Sequence, residues 1–388
     1  MTFSFPYPTN IDSTNHSGLD TDDHEQAHDI LFGRANDYID AKADFNVNPA
    51  NSAPVNQTNL NAAFAAGGSA KVPVLLPAGT INVDPPVVWN TGHPMVQGHG
   101  QSTVLNFSSN TDDGIVLGNG GVGDTEHGMA GFARQFVVDC AVSRPGSPNG
   151  KAGVAWNGSN MSDLANLYVR DFDIGFDFRA NPYGTSLYKC SARYNLNNVG
   201  FRQQLGSQGG NDITLLDCWF GGQFAAINME GSAGGLTMVG GQIALPRSAG
   251  DNDEAAGLRI GKNYMTGATA KTANIRLLGV SFEAIQDAWA IRNFDSGSID
   301  LTGVVYHDAA NDLGWFKTSG GNFYYTSRGH ELLDHASFVS PLAVVSGGVL
   351  IATEIQTRGN TTVGGGSVNM HTVEGVFGQS SIAATWLA

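Results

Sequence analysis

Three stretches of the chain, ITLLDCWF (213–220), IRLLGVSF (275–282) and IDLTGVVY (299–306), share one pattern. Each has a short apolar run, then an Asp or Gly, and then a second short run that ends in an aromatic residue. Runs of this kind recur about every twenty-five residues through the middle of the chain. A unit this short cannot bury its own apolar face and must stack on its neighbours, so the repeat predicts a solenoid.

Two columns of apolar residues mark the successive coils of this solenoid. Their members are 22 to 39 residues apart, and we interpret the longer steps as loop insertions, the largest of them at 244–255. We expect both columns to form the core. The first column is Phe172, Tyr194, Phe220, Ile243, Phe282 and Tyr306, and the second is Phe176, Phe201, Ile227, Leu258, Ile291 and Trp315.

The local residue types distinguish between kinds of solenoid. Short runs of Val, Ile, Leu, Phe and Tyr, broken by Gly-Gly and Asn-Gly pairs, are typical of strands and turns. The 3.6-residue periodicity of helical repeats is almost absent from 95–320, and the fixed frame of leucine-rich repeats is absent. The sequence therefore predicts an all-β fold, a single-stranded right-handed parallel β-helix. The 51 glycines and the 14% of charged residues agree with this turn-dense fold.

The charge of the chain excludes some classes of partner. Lys and Arg number 20 against 35 Asp and Glu, a formal charge of −15. Nucleic acids and anionic membranes favour clustered basic residues, so we predict no nucleic-acid partner, whereas a polysaccharide is compatible. No stretch approaches the ~18 apolar residues of a membrane span, so we predict no membrane insertion. The N-terminus lacks the basic and apolar regions of a secretory signal, so an extracellular role would need another route.

The three cysteines, Cys140, Cys190 and Cys218, are odd in number and widely spaced, without a CxxC motif. Cys190 and Cys218 lie at similar points of successive coils, so they are expected to stack as buried thiols. One disulfide and a metal site are the alternatives.

The chain divides into three predicted segments. Residues 1–45 form an N-terminal arm with an amphipathic helix over 22–43, which either caps the rod or acts as a trimer stalk or particle anchor. Residues 46–334 form the β-helix. In 335–388 apolar and polar residues alternate between Gly-rich turns, which predicts antiparallel strands that cap the rod or contact other subunits.

The stretch 56–83, with Pro77-Ala78-Gly79-Thr80, and the stretch 97–105 resemble the opening of the pectate-lyase-like β-helix superfamily. The resemblance implies a short helix over the open N-terminal end, here near 58–66, followed by a strand. The family usually has Asp-Asp-Thr before this helix, whereas this chain has Asn56-Gln57-Thr58. The superfamily contains lyases, hydrolases, epimerases and viral tail proteins, so the resemblance implies the fold and leaves the activity open.

A second stretch, 12–40, is similar to segments near the start of bacteriophage minor tail and tail-fibre proteins. Together with the β-rod and the missing secretory signal, this resemblance favours a tail-spike-like protein in a virion tail. We expect a homotrimer that contacts other tail proteins and that binds and cleaves a bacterial surface polysaccharide. We predict no cofactor. We also predict no metal site, although His16, His24 and His28 cluster in this segment and His24 and His28 share a helix face.

Coil alignment predicts which charged side chains can cooperate, because equivalent residues of adjacent coils lie about 5 Å apart. Glu283 and His307 each follow a first-column residue, with Asp308 beside them, and a carboxyl and an imidazole at this distance can share a proton for acid–base catalysis. Glu283→Gln is expected to lower cleavage at least about a hundredfold with little effect on the melting temperature. The further catalytic candidates are Asp171, Asp173, Asp217 and Glu230.

Residues that follow the second column suggest how an acidic sugar could be held. Arg202, Arg259 and Arg292 recur there, and Trp219 and Trp289 are candidates for stacking on sugar rings. We favour a glycoside hydrolase, which needs two carboxylates, over a lyase built from Lys189, Arg193 and Tyr194. A stand-alone polysaccharide lyase or hydrolase of the same superfamily and a non-catalytic receptor-binding or structural tail protein are the alternatives.

Overall fold

The computed structural model describes residues 38–89, 95–118, 132–157, 163–179, 184–193, 196–204, 213–231, 235–245, 253–307 and 313–328. It also describes five short segments at 331–333, 343–345, 349–353, 361–363 and 367–370. The chain divides into the units Met1–Tyr38 and Ile39–Ala388, and nearly all the described residues belong to the second.

The described part of the second unit is built from strands and one α-helix, α1 (Ala53–Ala70), with a 3-10 turn at Gly100–Ser102. In chain order the strands are β1 (Ile39–Asp40), β2 (Val74–Leu75), β3 (Gly79–Val83), β4 (Val87–Trp89), β5 (Val96–Gln97), β6 (Thr103–Phe107), β7 (Ile115–Leu117), β8 (Phe132–Cys140), β9 (Ala152–Trp156), β10 (Asp163–Val169), β11 (Ile174–Phe178), β12 (Ser186–Tyr188), β13 (Ser191–Ala192), β14 (Val199–Gln203), β15 (Ile213–Leu216), β16 (Trp219–Gly221), β17 (Ala225–Met229), β18 (Leu236–Val239), β19 (Gln242–Ala244), β20 (Ala256–Ile260), β21 (Thr272–Leu278), β22 (Ser281–Glu283), β23 (Trp289–Asn293), β24 (Gly297–Thr302), β25 (Val305–His307), β26 (Gly314–Thr318), β27 (Asn322–Arg328), β28 (Glu331–Leu333), β29 (Ala343–Val345), β30 (Val349–Thr353), β31 (Thr361–Val363) and β32 (Ser367–Met370).

The named strands form two long sheets in which every strand pairs in parallel with its equivalents in the adjacent coils. Sheet B contains the eleven strands β4, β7, β9, β11, β14, β17, β20, β23, β26, β29 and β31, and sheet A contains the other twenty-one. A typical coil runs through two short strands of sheet A and one of sheet B, as in β18, β19 and β20. The fold is the predicted parallel β-helix. With strands about 4.8 Å apart, eleven stacked strands extend over roughly 48 Å.

In seven successive coils a left-handed residue lies between the two sheet A strands or, in β8 and β10, at the equivalent point inside one longer strand. In successive coils these residues have φ between 49° and 64° at Gln135, Asn166, Lys189, Asp217, Gly240, Gly279 and Gly303. The residues just before them are in register from Tyr188 through Leu216 and Val239 to Leu278. The Asp or Gly between the apolar runs of the sequence repeat is therefore a bend, which explains why Gly and Asp are tolerated there.

The second predicted column is confirmed from Phe176 to Ile291, since these residues pair coil by coil. Its last member is wrong by one position: Ile291 pairs with Phe316, not with Trp315. Trp315 is nevertheless buried, and its indole Nε1 donates to the hydroxyl of Tyr325 at 2.8 Å.

The first predicted column is confirmed from Phe220 through Ile243 and Phe282 to Tyr306. Its earlier members are wrong, because Ala192 is the residue that pairs with Phe220. Phe172 lies in the connection between sheets, where it is buried beside Phe107 with ring centroids 6.0 Å apart. Tyr194 lies outside the described residues.

Helix α1 covers the N-terminal end of the β-helix, as the superfamily resemblance implied. Its Leu60 and Phe64 are buried in the core, and the Phe64 ring stacks on Trp89 at 4.8 Å. Asn56, at the departure from the family sequence, is fully buried and donates its amide to the carbonyl oxygens of Asn48 and Asn82. The helix predicted over 22–43 is wrong in its described end, since 39–40 form β1 and 41–45 form a turn.

The C-terminal strands continue the parallel stack. β29 pairs in parallel with β26, and β30 with β27. β31 and β32 add a further coil in the same sense. The antiparallel pairing expected for 335–388 is therefore wrong for the described strands, because alternation fixes the faces of a strand but not the direction of its neighbour.

All three cysteines are free and buried. Burial raises the pKa of the Cys190 thiol well above its usual value and raises that of Cys218 to about 12. The sequence interpretation of Cys190 and Cys218 as buried core thiols is confirmed. Within the described ranges, no helix is long and apolar enough to cross a membrane.

Candidate functional site

The second sheet A strand of each coil carries a partly exposed polar surface, which we call the outer face. It consists of two side-chain columns that the strand register aligns coil by coil. The first column is Val137, Tyr168, Ser191, Trp219, Gln242, Ser281 and Val305, and the second is Asp139, Arg170, Arg193, Gly221, Ala244, Glu283 and His307.

One end of the outer face combines arginines, aromatic rings and carboxylates. Arg170 Nη2 donates to Asp139 Oδ2 at 2.5 Å. The guanidinium carbon of Arg170 and that of Arg193 each lie 5.9 Å from the centroid of the Tyr168 ring. The Arg193 guanidinium also lies over the Trp219 ring at 4.1 Å. This combination of guanidinium groups and aromatic ring faces is suited to binding sugars and their acidic groups.

Asp171 adjoins this cluster and has two unusual properties. Its backbone is left-handed, with φ of 66°, which is uncommon for a residue other than glycine and is frequent at functional sites. Burial raises the pKa of its carboxyl, and the negative charge of Asp139 raises it further, against the opposing effects of Arg170 and Arg144. A carboxyl group whose pKa is raised beside a second carboxylate is suited to the role of a general acid.

The predicted pair Glu283 and His307 lies at the other end of the outer face. The pairing of Phe282 with Tyr306 puts both residues on adjacent strands, and both side chains are partly exposed, as expected. The Glu283 carboxylate accepts hydrogen bonds from Gln242 Nε2 and from Ser281 Oγ, the latter at 2.9 Å. Among the described hydrogen bonds none joins Glu283 to His307, and the proton sharing expected from the sequence stays a prediction. Asp308 lies outside the described residues.

Asp173 and Glu230 are buried beneath the loops that cover the outer side of sheet B. Asp173 accepts from the backbone N–H groups of Asn149 and Gly150, from Asn198 Nδ2 and from the hydroxyl of Tyr264, at 2.6 to 2.8 Å. Glu230 accepts from Asn263 Nδ2 and from the N–H of Tyr264, both at 2.7 Å. Asp217, by contrast, is exposed at a bend of sheet A. Of the single carboxylates predicted for catalysis, only Asp171 adjoins the outer face.

The arginines predicted to hold an acidic sugar are in register but buried. Arg202, Arg259 and Arg292 are 2%, 1% and 4% exposed, with Asn228 between the first two. Arg202 donates to both carboxylate oxygens of Asp177 at 2.6 and 2.7 Å, and Arg259 and Arg292 lie beside Glu254 and Asp253. The expected surface for sugar is thus an internal charge network, since loops cover this side of the sheet.

The tryptophans predicted to stack on sugars differ in exposure. Trp289 is 5% exposed, and its Nε1 donates to Asp253 Oδ1 at 3.0 Å, so it is an internal residue. Trp219 is partly exposed on the outer face, but the guanidinium of Arg193 covers one side of its ring. Asp139, Tyr168 and Arg170 were not among the residues predicted from the sequence. The alternation of Tyr168, inward Val169 and Arg170 was their signal, and it was obscured because the first column was placed at Phe172.

No protein-family description and no curated protein sequence matches this chain. Its fold is similar to solved structures of viral proteins, at low sequence identity. ORF18 of Geobacillus virus E2 is 11% identical with a TM-score of 0.57, over 88% of this chain and 65% of that one. The gp42 tailspike of Acinetobacter phage vb_AbaP_AS12 is 13% identical with a TM-score of 0.55, over 91% and 66%.

The enzymatically active domain of tailspike protein 2 of bacteriophage CBA120 is 11% identical with a TM-score of 0.59, over 86% of this chain and 52% of that one. This chain therefore spans about half to two thirds of the length of these structures. At such identities the likeness shows a shared parallel β-helix fold.

Proposed function

We propose that the protein is a tailspike-like component of a bacteriophage that binds and cleaves a bacterial surface polysaccharide on the outer face of sheet A. The observation that carries the proposal is the cluster of Asp139, Arg170, Asp171 and Arg193 around Tyr168, on a fold similar to tailspikes. The cluster combines partly exposed aromatic rings, guanidinium groups and a carboxyl group of raised pKa on one surface.

The dimensions of the outer face suit a linear polymer. From Asp139 to His307 its second column crosses six coil spacings, or roughly 29 Å. The side chains are partly exposed at both ends of this column, while Gly221 and Ala244 between them are small and buried. A chain of sugars lying along the column would contact the arginine cluster at one end and Glu283 at the other.

For the chemical step we propose glycoside hydrolysis at the Asp139 and Asp171 end. Asp171, with its raised pKa, would protonate the oxygen of the leaving sugar. Asp139, which is held by Arg170, would act as the second carboxylate, either on the sugar itself or on a water molecule. Glu283 with His307 is the competing catalytic pair, which their adjacent positions and partial exposure favour.

We further propose that the protein acts in a virion tail as a homotrimer bound to other tail proteins. The first sheet A strands present a row of exposed apolar side chains in register, Tyr188, Leu216 and Val239, which are 41%, 36% and 37% exposed. Exposed apolar rows of this kind are typical of surfaces that contact another chain. The mass of the protein in solution tests this assembly, and a monomer would favour a stand-alone enzyme.

The test of function is an assay of the full chain against purified bacterial surface polysaccharides. New reducing ends without ultraviolet absorbance of unsaturated uronates would support hydrolysis, and such absorbance would support a lyase. Binding without any cleavage would contradict the proposed chemistry and support a receptor-binding protein. If the protein neither binds nor cleaves any of the capsular polysaccharides tested, the proposal as a whole would be contradicted.

A further inference from the structure

Within the described ranges Arg193 has no carboxylate beside it, in contrast to three other arginines of the coils. Arg170 contacts Asp139, Arg179 contacts Asp113 and Asp177, and Arg202 contacts Asp177. Arg193 makes no ion pair or hydrogen bond within those ranges, and its Nε is buried without an acceptor. A guanidinium that is partly removed from water and has a buried N–H without an acceptor is unfavourable, so an anion at its edge would stabilise it.

The surroundings of Arg193 fix the direction in which an anion would approach. Its guanidinium lies over the Trp219 ring at 4.1 Å and near the Tyr168 ring at 5.9 Å. An arginine held against an aromatic face keeps its N–H donors in the plane of the guanidinium, at the edge of the stack. Because Nε is buried, the Nη1 and Nη2 end of the fork is the accessible edge, and two parallel donors match the two oxygens of a carboxylate.

We propose that Arg193 binds the carboxylate of an acidic sugar, so that the substrate class is a uronate-containing polysaccharide. The inference rests on the proposed function of the outer face. Arg170 is not equivalent, because its Nη2 is already bonded to Asp139. Arg193 lies one coil from Arg170, about 5 Å along the column, so the acidic sugar would occupy a position next to the proposed catalytic carboxylates.

The proposal is tested by binding of the full chain to a panel of purified capsular polysaccharides that are neutral, uronate-containing or phosphate-containing. Each uronate polymer is also prepared with its carboxyl groups reduced to primary alcohols. We expect binding to uronate polymers only, lowered about 10- to 100-fold by carboxyl reduction, the usual effect of losing a charged hydrogen bond. Binding to the native polymer should also weaken as salt is raised.

Arg193→Met keeps a chain of similar length on Trp219 and removes the charge, and we expect it to lower binding to the native polymer by the same 10- to 100-fold. The variant and the wild-type protein should bind the carboxyl-reduced polymer with equal affinity. Carboxyl reduction and Arg193→Met each remove the same interaction, that between the guanidinium and the sugar carboxylate. The affinity of Arg193→Lys for the native polymer should lie between those of the wild type and Arg193→Met. Lysine keeps the positive charge but lacks the two parallel N–H donors of the guanidinium. Arg276→Met is the matched control, because Arg276 is an exposed arginine of sheet A away from the outer face.

The outcomes separate the inference from the function on which it rests. Best binding to a neutral or phosphate polymer, or unchanged binding after carboxyl reduction, would overturn the carboxylate site and leave a polysaccharide-binding protein. An Arg193→Met effect of equal size on native and reduced polymers would also overturn it, because it would show a general loss of the surface. Binding to no member of the panel would contradict the proposed function and the inference together.

Discussion

Tyr264 donates its hydroxyl hydrogen to Asp173 Oδ1 over 2.8 Å, although 91 residues separate them in the chain. The ring of Tyr264 packs on Phe224 with centroids 5.3 Å apart, and its backbone N–H is bonded to Glu230. Burial and the charge of Asp173 both raise the pKa of this phenol, so it remains a donor throughout the ordinary pH range. One tyrosine therefore fastens a covering loop to the outer side of sheet B.

Tyr264→Phe should destabilise the fold without impairing the outer face of sheet A. Asp173 would lose one of its four donors, and a hydrogen bond to a charged group contributes about 1.5–3 kcal/mol. Urea unfolding measures the change, and Tyr188→Phe, at an exposed tyrosine, is the control expected to stay within about 0.5 kcal/mol. Equal stabilities of the two variants would show that the loop is held by other contacts.

Asp177→Asn should lower stability by about 3–5 kcal/mol at neutral pH, because it removes the carboxylate bonded to the buried Arg202 and leaves it only Glu230, at 3.8 Å. Burial acts to raise the pKa of Asp177, but the charges and hydrogen bonds of Arg202 and Arg179 outweigh it, so the pKa is lowered. A lowered carboxyl pKa contributes stability that is present above the unfolded value of about 3.9 and is lost as pH falls through the folded value.

The free-energy difference between wild type and Asp177→Asn should therefore narrow below about pH 4. Denaturant unfolding across acidic pH measures this, with Asp217→Asn as the control at an exposed carboxylate. A difference that stays constant into strong acid would mean that Asp177 does not carry the charge inferred for it.

Asp171→Asn should lower polysaccharide cleavage at least about a hundredfold while binding is retained, because an amide cannot donate the proton of a general acid. Since burial and Asp139 raise the pKa of Asp171, its protonated form persists to higher pH than in an ordinary carboxyl. Cleavage should accordingly fall as pH rises through that raised value. Rates measured against pH test this, and an unchanged alkaline limb in the variant would exclude Asp171 as the acid.

Glu283→Gln distinguishes the two proposed catalytic sites. Glu283 accepts hydrogen bonds from Gln242 and Ser281, and it lies three coils beyond Arg193. We therefore expect the cleavage rate of the variant to stay within about tenfold of that of the wild type. His307→Gln should behave alike. A hundredfold loss in Glu283→Gln with normal activity in Asp171→Asn would place the chemistry at Glu283, as the sequence alone had suggested.

The thiols should be unreactive in the folded protein. All three cysteines are buried, and burial raises the pKa of Cys190 and Cys218 far from the range in which thiolates form. A colorimetric thiol reagent should therefore react slowly in native buffer and with three thiols per chain in denaturant. Fewer than three in denaturant without reductant would reveal a disulfide and contradict the free state of the cysteines.

The repeat predicted the coils because inward positions are decided by burial, which leaves a strong pattern in residue type. Phe201, Ile227 and Leu258 needed only their spacing to be aligned. Trp315 and Phe316 could not be separated this way, since both are aromatic and both are buried. Likewise Phe172 is as buried as Val169, so apolar character alone did not show which of them faces the core from a strand.

The candidate site was less predictable, because exposure of outward positions depends on loops from distant coils. Arg202 and Arg193 both occupy outward positions, yet loops cover sheet B over Arg202 and leave Arg193 partly exposed. Nothing local to RQQ at 202–204 or to ARY at 192–194 signals this difference. The direction in which a carboxyl pKa is shifted also depends on which loops cover the group. The sequence alone therefore did not distinguish Asp171 from the other candidate carboxylates.

Helix α1 also covers the strand edges at the N-terminal end of the β-helix. Among the described strands β3 and β4 each pair with a strand on one side only, β6 and β7 respectively. On the other side Asn61 Oδ1 accepts the N–H of Val88, and Asn56 and Gln57 donate to the carbonyl oxygens of Asn82 and Pro86. Bare strand edges can pair with other strands, so we expect rods without this helix to be prone to association at this end. Three amide side chains of α1 thus occupy the strand edges that this end of the rod would otherwise expose.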